Sequence, residues 1–170
     1  MEPVDAGLVL LRLVVGLTFA AHGAQKAFGW WGGPGWERWH GAVASMGFRP
    51  SRLFAVISTG VELLGGLCLA LGLLTPLAAA ALLAQSAVIV VKVHAPKGFF
   101  NTRGGIEFPL ALATTTFVIG FVGPGAASLD GAAGFSLPIE LRLILLFAGL
   151  AGGLLTIPLA ETADRPSTQS

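Results

Sequence analysis

The sequence predicts an all-α membrane protein: apolar helices crossing a bilayer, with one short helix in the first loop lying along its surface. Three observations predict it. Of 170 residues, 54% are hydrophobic and only 11% charged, whereas an ordinary soluble domain carries about 25% charged residues. Five apolar segments each approach the length a spanning helix needs, about 17–25 residues. The 24 glycines suit helices packed closely in lipid, and the four tryptophans all fall between Trp30 and Trp39, like an interfacial anchor. A net charge of +1 gives no reason to invoke nucleic acid.

The first segment runs from about Gly7 to Phe28. It is expected to stay as a membrane helix, because the start MEPVD has two acids and lacks the basic n-region of a signal peptide. In the first loop, PGWERWHGAVASMGF, the residues Trp36, Trp39, Val43 and Met46 recur at helical spacing, with Glu37 and Arg38 opposite. This predicts an amphipathic helix in the interface plane, either an anchor or a lid over a site between the helices. The second segment, Leu53 to Leu74, and the third, Leu77 to Val93, are separated by Thr75-Pro76. That spacing permits only a tight turn and an antiparallel hairpin. The fourth, Phe108 to Val122, is short. The fifth, Leu141 to Leu159, opens on Glu140 and Arg142 and contains Gly152-Gly153. The final residues, 161–170, are polar and expected to be disordered. Cys68, the only cysteine, excludes an internal disulfide and a CxxC relay.

Loop charge predicts orientation. With five spans, the first and third loops and the tail share one side and carry Arg38, Arg49, Arg52, Lys97, Arg103 and Arg165, while the opposite side's segments hold no Lys or Arg. The positive-inside rule then places the N-terminus outside and those loops in the cytoplasm.

A charge at the centre of a spanning helix costs about 2.5–3.5 kcal/mol on insertion scales, so such residues turn inward and find partners. Here they are Arg12, His22, Lys26, Glu62, Lys92, His94 and Glu107, with Gln25 and Gln85 beside them. Chain position brings His22, Lys26, Lys92, His94 and Glu107 to the cytoplasmic end, with Glu62 about 13 Å below it. His22 and Lys26 share a helix face, Arg12 lies deeper on the same stripe, and Gln85 and Lys92 share another. Plainer roles are available to each. Lys26 and Lys92 suit snorkelling to headgroups, Arg12 suits snorkelling or a structural pair with Glu62, and Glu107 suits a helix N-terminus.

The stretches LLRLVVGLTFAAHGAQKAFG (10–29), VELLGGLCLALGLLTPLAA (61–79), VHAPKGFFNTRGGIEFPL (93–110) and GPGAASLD (123–130) together resemble the DoxX family of small bacterial membrane proteins, over about Leu8 to Asp130. The resemblance implies a four-helix membrane bundle over residues 1–130, with 131–160 an added C-terminal membrane helix. It also implies a bacterial cytoplasmic membrane and association with redox complexes. Related proteins form the membrane part of thiosulfate:quinone oxidoreductases, and others are linked to complexes handling sulfur species and oxidative stress. Arg12, His22, Lys26, Glu62, His94 and Glu107 fall at positions matching the family.

Three functions fit. In the preferred one, the chain is the quinone-site subunit of an oxidoreductase. His22 and His94 bond the headgroup carbonyls, Glu62 and Glu107 relay protons, and Lys26 and Arg12 balance the buried acids. The sequence shows no flavin, haem or iron–sulfur motif and no metal site, so electrons would come from a soluble or peripheral partner on the cytoplasmic side. The second is a scaffold recruiting soluble redox enzymes through the first and third loops. The third is a small proton-coupled transporter or channel, without the inverted repeat that would support it. A homo-oligomer is compatible with all three.

Overall fold

Long helices form where the apolar pattern is sustained, and four of them stop at a glycine: Gly29, Gly72, Gly98 and Gly123. The computed structural model describes residues 2–162, so most of the polar tail lies outside the described residues. Helix α1 spans Pro3–Phe28, starting with Pro3 in its first turn and ending at Gly29 in the left-handed conformation that favours glycine. Helix α2 spans Gly35–Ser45 in the first loop. Helix α3 covers Ser51–Leu71 and α4 covers Thr75–Lys97. They are followed by α5 (Glu107–Val122), the short α6 (Leu129–Ala132) and α7 (Ile139–Thr162). Helices α1, α3, α4 and α7 are long and apolar enough to cross a membrane, while α5, with 16 residues, is shorter. The described residues thus form an all-helical bundle.

Helix α4 is central. It packs against α3, α5 and α7, while α1 lies against α3 and α5. The shared core is Val15 and Phe19 of α1, Leu69 of α3, Ala79, Leu82 and Leu83 of α4, Ile119 of α5 and Leu146 of α7. Outward faces carry exposed leucines and valines such as Leu10, Val14, Leu64 and Leu155, as a lipid-facing surface requires.

Two helix pairs meet backbone to backbone. A Cβ added at Gly16 would lie 2.5 Å from both Ala70 N and Gly66 O, joining α1 to α3. One added at Gly153 would lie 2.2 Å from Ala84 O, joining α7 to α4. In lipid, where apolar burial gains little, such contact maximises van der Waals packing.

The end of the bundle that holds the N-terminus is closed by charged side chains bonded to backbone groups. The Asp130 carboxylate accepts from the Leu74 and Thr75 amides at 2.7 and 2.8 Å, capping α4. Arg12, only 2% exposed, donates to the carbonyls of Pro124 and Ala127, and Asp5 accepts from the Ala126 amide. Arg142 donates to the Phe121 and Val122 carbonyls at the end of α5.

Candidate functional site

At the opposite end the ionisable groups converge. Lys26, near the C-terminus of α1, donates from Nζ to Glu62 Oε1 at 2.6 Å, and both side chains are buried. Helix α2 covers this pair. Its Trp39 ring lies 4.1 Å from Lys26 Nζ, a cation–π distance, and its indole N–H donates to Ser58 Oγ at 3.0 Å. The helix docks here because Val43, with Trp36, Trp39 and Met46, joins Phe48 and Ala55 in a second apolar cluster, leaving Glu37 and Arg38 exposed.

Glu62 Oε2 is buried and has no hydrogen-bond partner among the described residues. Glu62 lines a cavity of about 100 Å³ together with His22, Ser86 and His94, walled by Phe19, Phe108 and other apolar side chains. His22 Nδ1 donates to the Thr18 carbonyl at 2.8 Å, and His94 Nδ1 donates to the Gly104 carbonyl at 2.6 Å. A carbonyl can only accept, so each neutral imidazole is held in one tautomer with a lone pair on Nε2. Bonding a headgroup carbonyl from Nε2, the role expected of both rings, therefore requires the imidazolium form.

Two of the four helices that line this cavity, α3 and α4, depart from α-geometry there. Glu62 sits in a π-helical stretch, Val61–Gly65, and Lys92 and His94 sit in another, Val90–His94. π-Turns inside α-helices recur at functional sites. A second, mostly apolar cavity of about 190 Å³ lies alongside, lined by Trp39, Val43, Phe54, Ser58 and Gln85, and it shares Ile89 with the first.

Not every candidate joins the cluster. Glu107 is exposed at the start of α5, where its Oε2 accepts from the Asn101 amide and braces the third loop. Gln25 is half-buried, with its backbone against Gly33, and Lys92 is half-buried beside His94. Gln85 faces the apolar cavity. Arg12 lies at the far end of α1; its guanidinium binds loop carbonyls, and Glu62 pairs with Lys26 instead. Ser58, Ser86 and Phe108 went unnoticed in the sequence because hydroxyl and aromatic residues are ordinary in spanning helices. Asp130 was visible within GPGAASLD, but nothing in that loop signals which amides it caps.

The fold and its lipid-facing surface define a multi-pass membrane protein with a bilayer environment, and at one end a polar cluster surrounds the buried Lys26–Glu62 pair, with His94 half-buried and His22 exposed. The comparisons agree. The DoxX family model matches residues 7–95, more than half of the chain, and the chain belongs to the DoxX family. It is also 29% identical over 128 residues, 74% of this chain and 86% of the relative, to a Bacillus subtilis (strain 168) protein named "Putative oxidoreductase CatD". No solved structure matches.

Proposed function

We propose that the chain is the membrane subunit of a redox complex and that its polar cavity holds the headgroup of a quinone-class molecule. The supporting observation is the unpartnered, buried Glu62 Oε2 beside His22 and His94 in a cavity with aromatic and aliphatic walls. A flat ring suits the walls, and two oxygen substituents suit the polar groups. The name of the B. subtilis relative supports the redox assignment. A bound quinone supplies two-electron chemistry with proton exchange. His22 and His94 orient the ring and exchange protons at Nε2. Lys26 holds Glu62 in place, and Trp39 keeps water from the ion pair. Electrons pass to or from a peripheral protein on the side of the basic loops, where Arg38, Lys97 and Arg103 are exposed. That side is the cytoplasm of a bacterium, with the N-terminus outside.

The test is mass spectrometry of small molecules retained by protein purified gently from its native membrane. A quinone near one per chain, lost in a His22→Ala/His94→Ala double variant, is the expected result. No quinone in the wild type would overturn the assignment.

A further inference from the structure

The polar lining of the Glu62 cavity is one-sided in its hydrogen bonding. Four polar side chains line it: His22, Glu62, Ser86 and His94. The donor hydrogens of three are already engaged: His22 Nδ1–H with Thr18 O, His94 Nδ1–H with Gly104 O, and Ser86 O–H with Leu82 O at 2.8 Å. The fourth, Glu62, is ion-paired with Lys26 and offers only lone pairs. Lys26, the nearest strong donor, bonds Glu62 Oε1, lies against Trp39 and does not line the cavity. A ligand here therefore meets acceptors and brings its own donors.

We infer that this cavity selects the reduced, dihydroxy form of an aromatic ring over the corresponding quinone. The inference rests on the quinone-class reading and adds which redox form the site prefers. A quinone has two carbonyl acceptors, which would face lone pairs on every polar side chain of the lining. Its hydroquinone has two O–H donors, which match the lone pairs that Glu62 Oε2 and an imidazole Nε2 offer. The same ring sits against Phe19 and Phe108 in either form, so the apolar contacts do not discriminate. Discrimination comes from hydrogen bonds made or left unmade, above all at the buried Glu62 Oε2, since polar selectivity is greatest where the acceptor is shielded from water.

The experiment measures anaerobic binding of methyl-1,4-benzoquinone and of its hydroquinone to the full chain in lipid nanodiscs, by calorimetry at pH 8, where free imidazole is neutral. The hydroquinone should bind about tenfold more tightly or better, the effect of one hydrogen bond to a buried charged acceptor. Glu62→Gln and His94→Gln each place an amide N–H2 donor in the lining and should cut the preference to roughly threefold or less. Equal or tighter binding of the quinone by the wild type overturns this inference alone, and so does a preference unchanged in both variants. Binding of neither ring overturns the quinone-class reading together with it.

Discussion

Removing one partner of the Lys26–Glu62 pair should be among the costliest single changes in this protein. At about 2.6 Å and an effective dielectric near 20, the attraction is on the order of 6 kcal/mol. Desolvating two ions costs several kcal/mol each, so the intact pair contributes little net stability. Taking away one partner leaves that cost uncompensated. Lys26 and Glu62 side chains are 10% and 3% exposed, so water reaches neither well. Lys26→Met and Glu62→Leu should each lose about 3–5 kcal/mol. The double variant, with two apolar side chains facing each other, should recover most of it and lie within about 1–2 kcal/mol of wild type. Reversible unfolding in bicelles, followed by steric trapping, reads these values directly. Single variants that lose less than about 1 kcal/mol, or losses that simply add in the double, would refute the reasoning and leave the pair a surface-like contact.

Other expectations follow from individual contacts. Gly16→Ala should cost about 1–3 kcal/mol, because its Cβ would strike the backbone of α3; Gly7→Ala, with open space around it, should stay within about 0.5 kcal/mol. Asp130→Ala strands the Leu74 and Thr75 amides and should cost about 2–4 kcal/mol, with faster hydrogen exchange at those two positions by mass spectrometry. Trp39→Phe keeps a ring over Lys26 but removes the donor to Ser58, for a loss of about 1 kcal/mol. Trp39→Leu should lose a further 0.5–2 kcal/mol, roughly, with the cation–π contact. In a Cys68→Ser background, cysteines at Ser45 and Thr102 should react with an impermeant maleimide only from the cytoplasmic face of membrane vesicles, and one at Ser136 only from the other. The reverse pattern would invert the orientation.

The spans were legible because each is a sustained apolar run. The tight turn between α3 and α4 was legible too, but it falls at residues 72–74, with Gly72 ending α3 and Thr75 and Pro76 opening α4, where proline's missing N–H costs nothing. The pairing of charges was not. A helical wheel places Arg12, His22 and Lys26 on one stripe, but fourteen residues separate Arg12 from Lys26, about 21 Å along the axis. That distance puts them at opposite ends of the bundle with different partners. Arg12 meets carbonyls of a loop more than a hundred residues away, and no local pattern encodes such a meeting. Helix α2 was legible as amphipathic, since Trp36, Trp39, Val43 and Met46 fall on one side. Its position over Lys26 depends on how the loop folds back onto α3. The tautomers of His22 and His94 were hidden for the same reason, because the Gly104 carbonyl reaches His94 only through the turn of the third loop.

The two π-helical stretches have a consequence for how this protein can vary. Each π-turn accommodates roughly one residue more than the α-helix it interrupts. Deleting one residue from Val61–Gly65 would restore regular winding with the turns on either side nearly in their present phase, so the change would fall on the turn that carries Glu62. Glu62 would then part from Lys26, while the glycine contact of α3 with α1 beyond the stretch would keep its place. Residue count, as much as residue identity, therefore sets where the carboxylate points. Substitution scans across these ten positions would leave that determinant untouched, whereas a single deletion in either stretch would dismantle the cavity while changing no side chain that lines it.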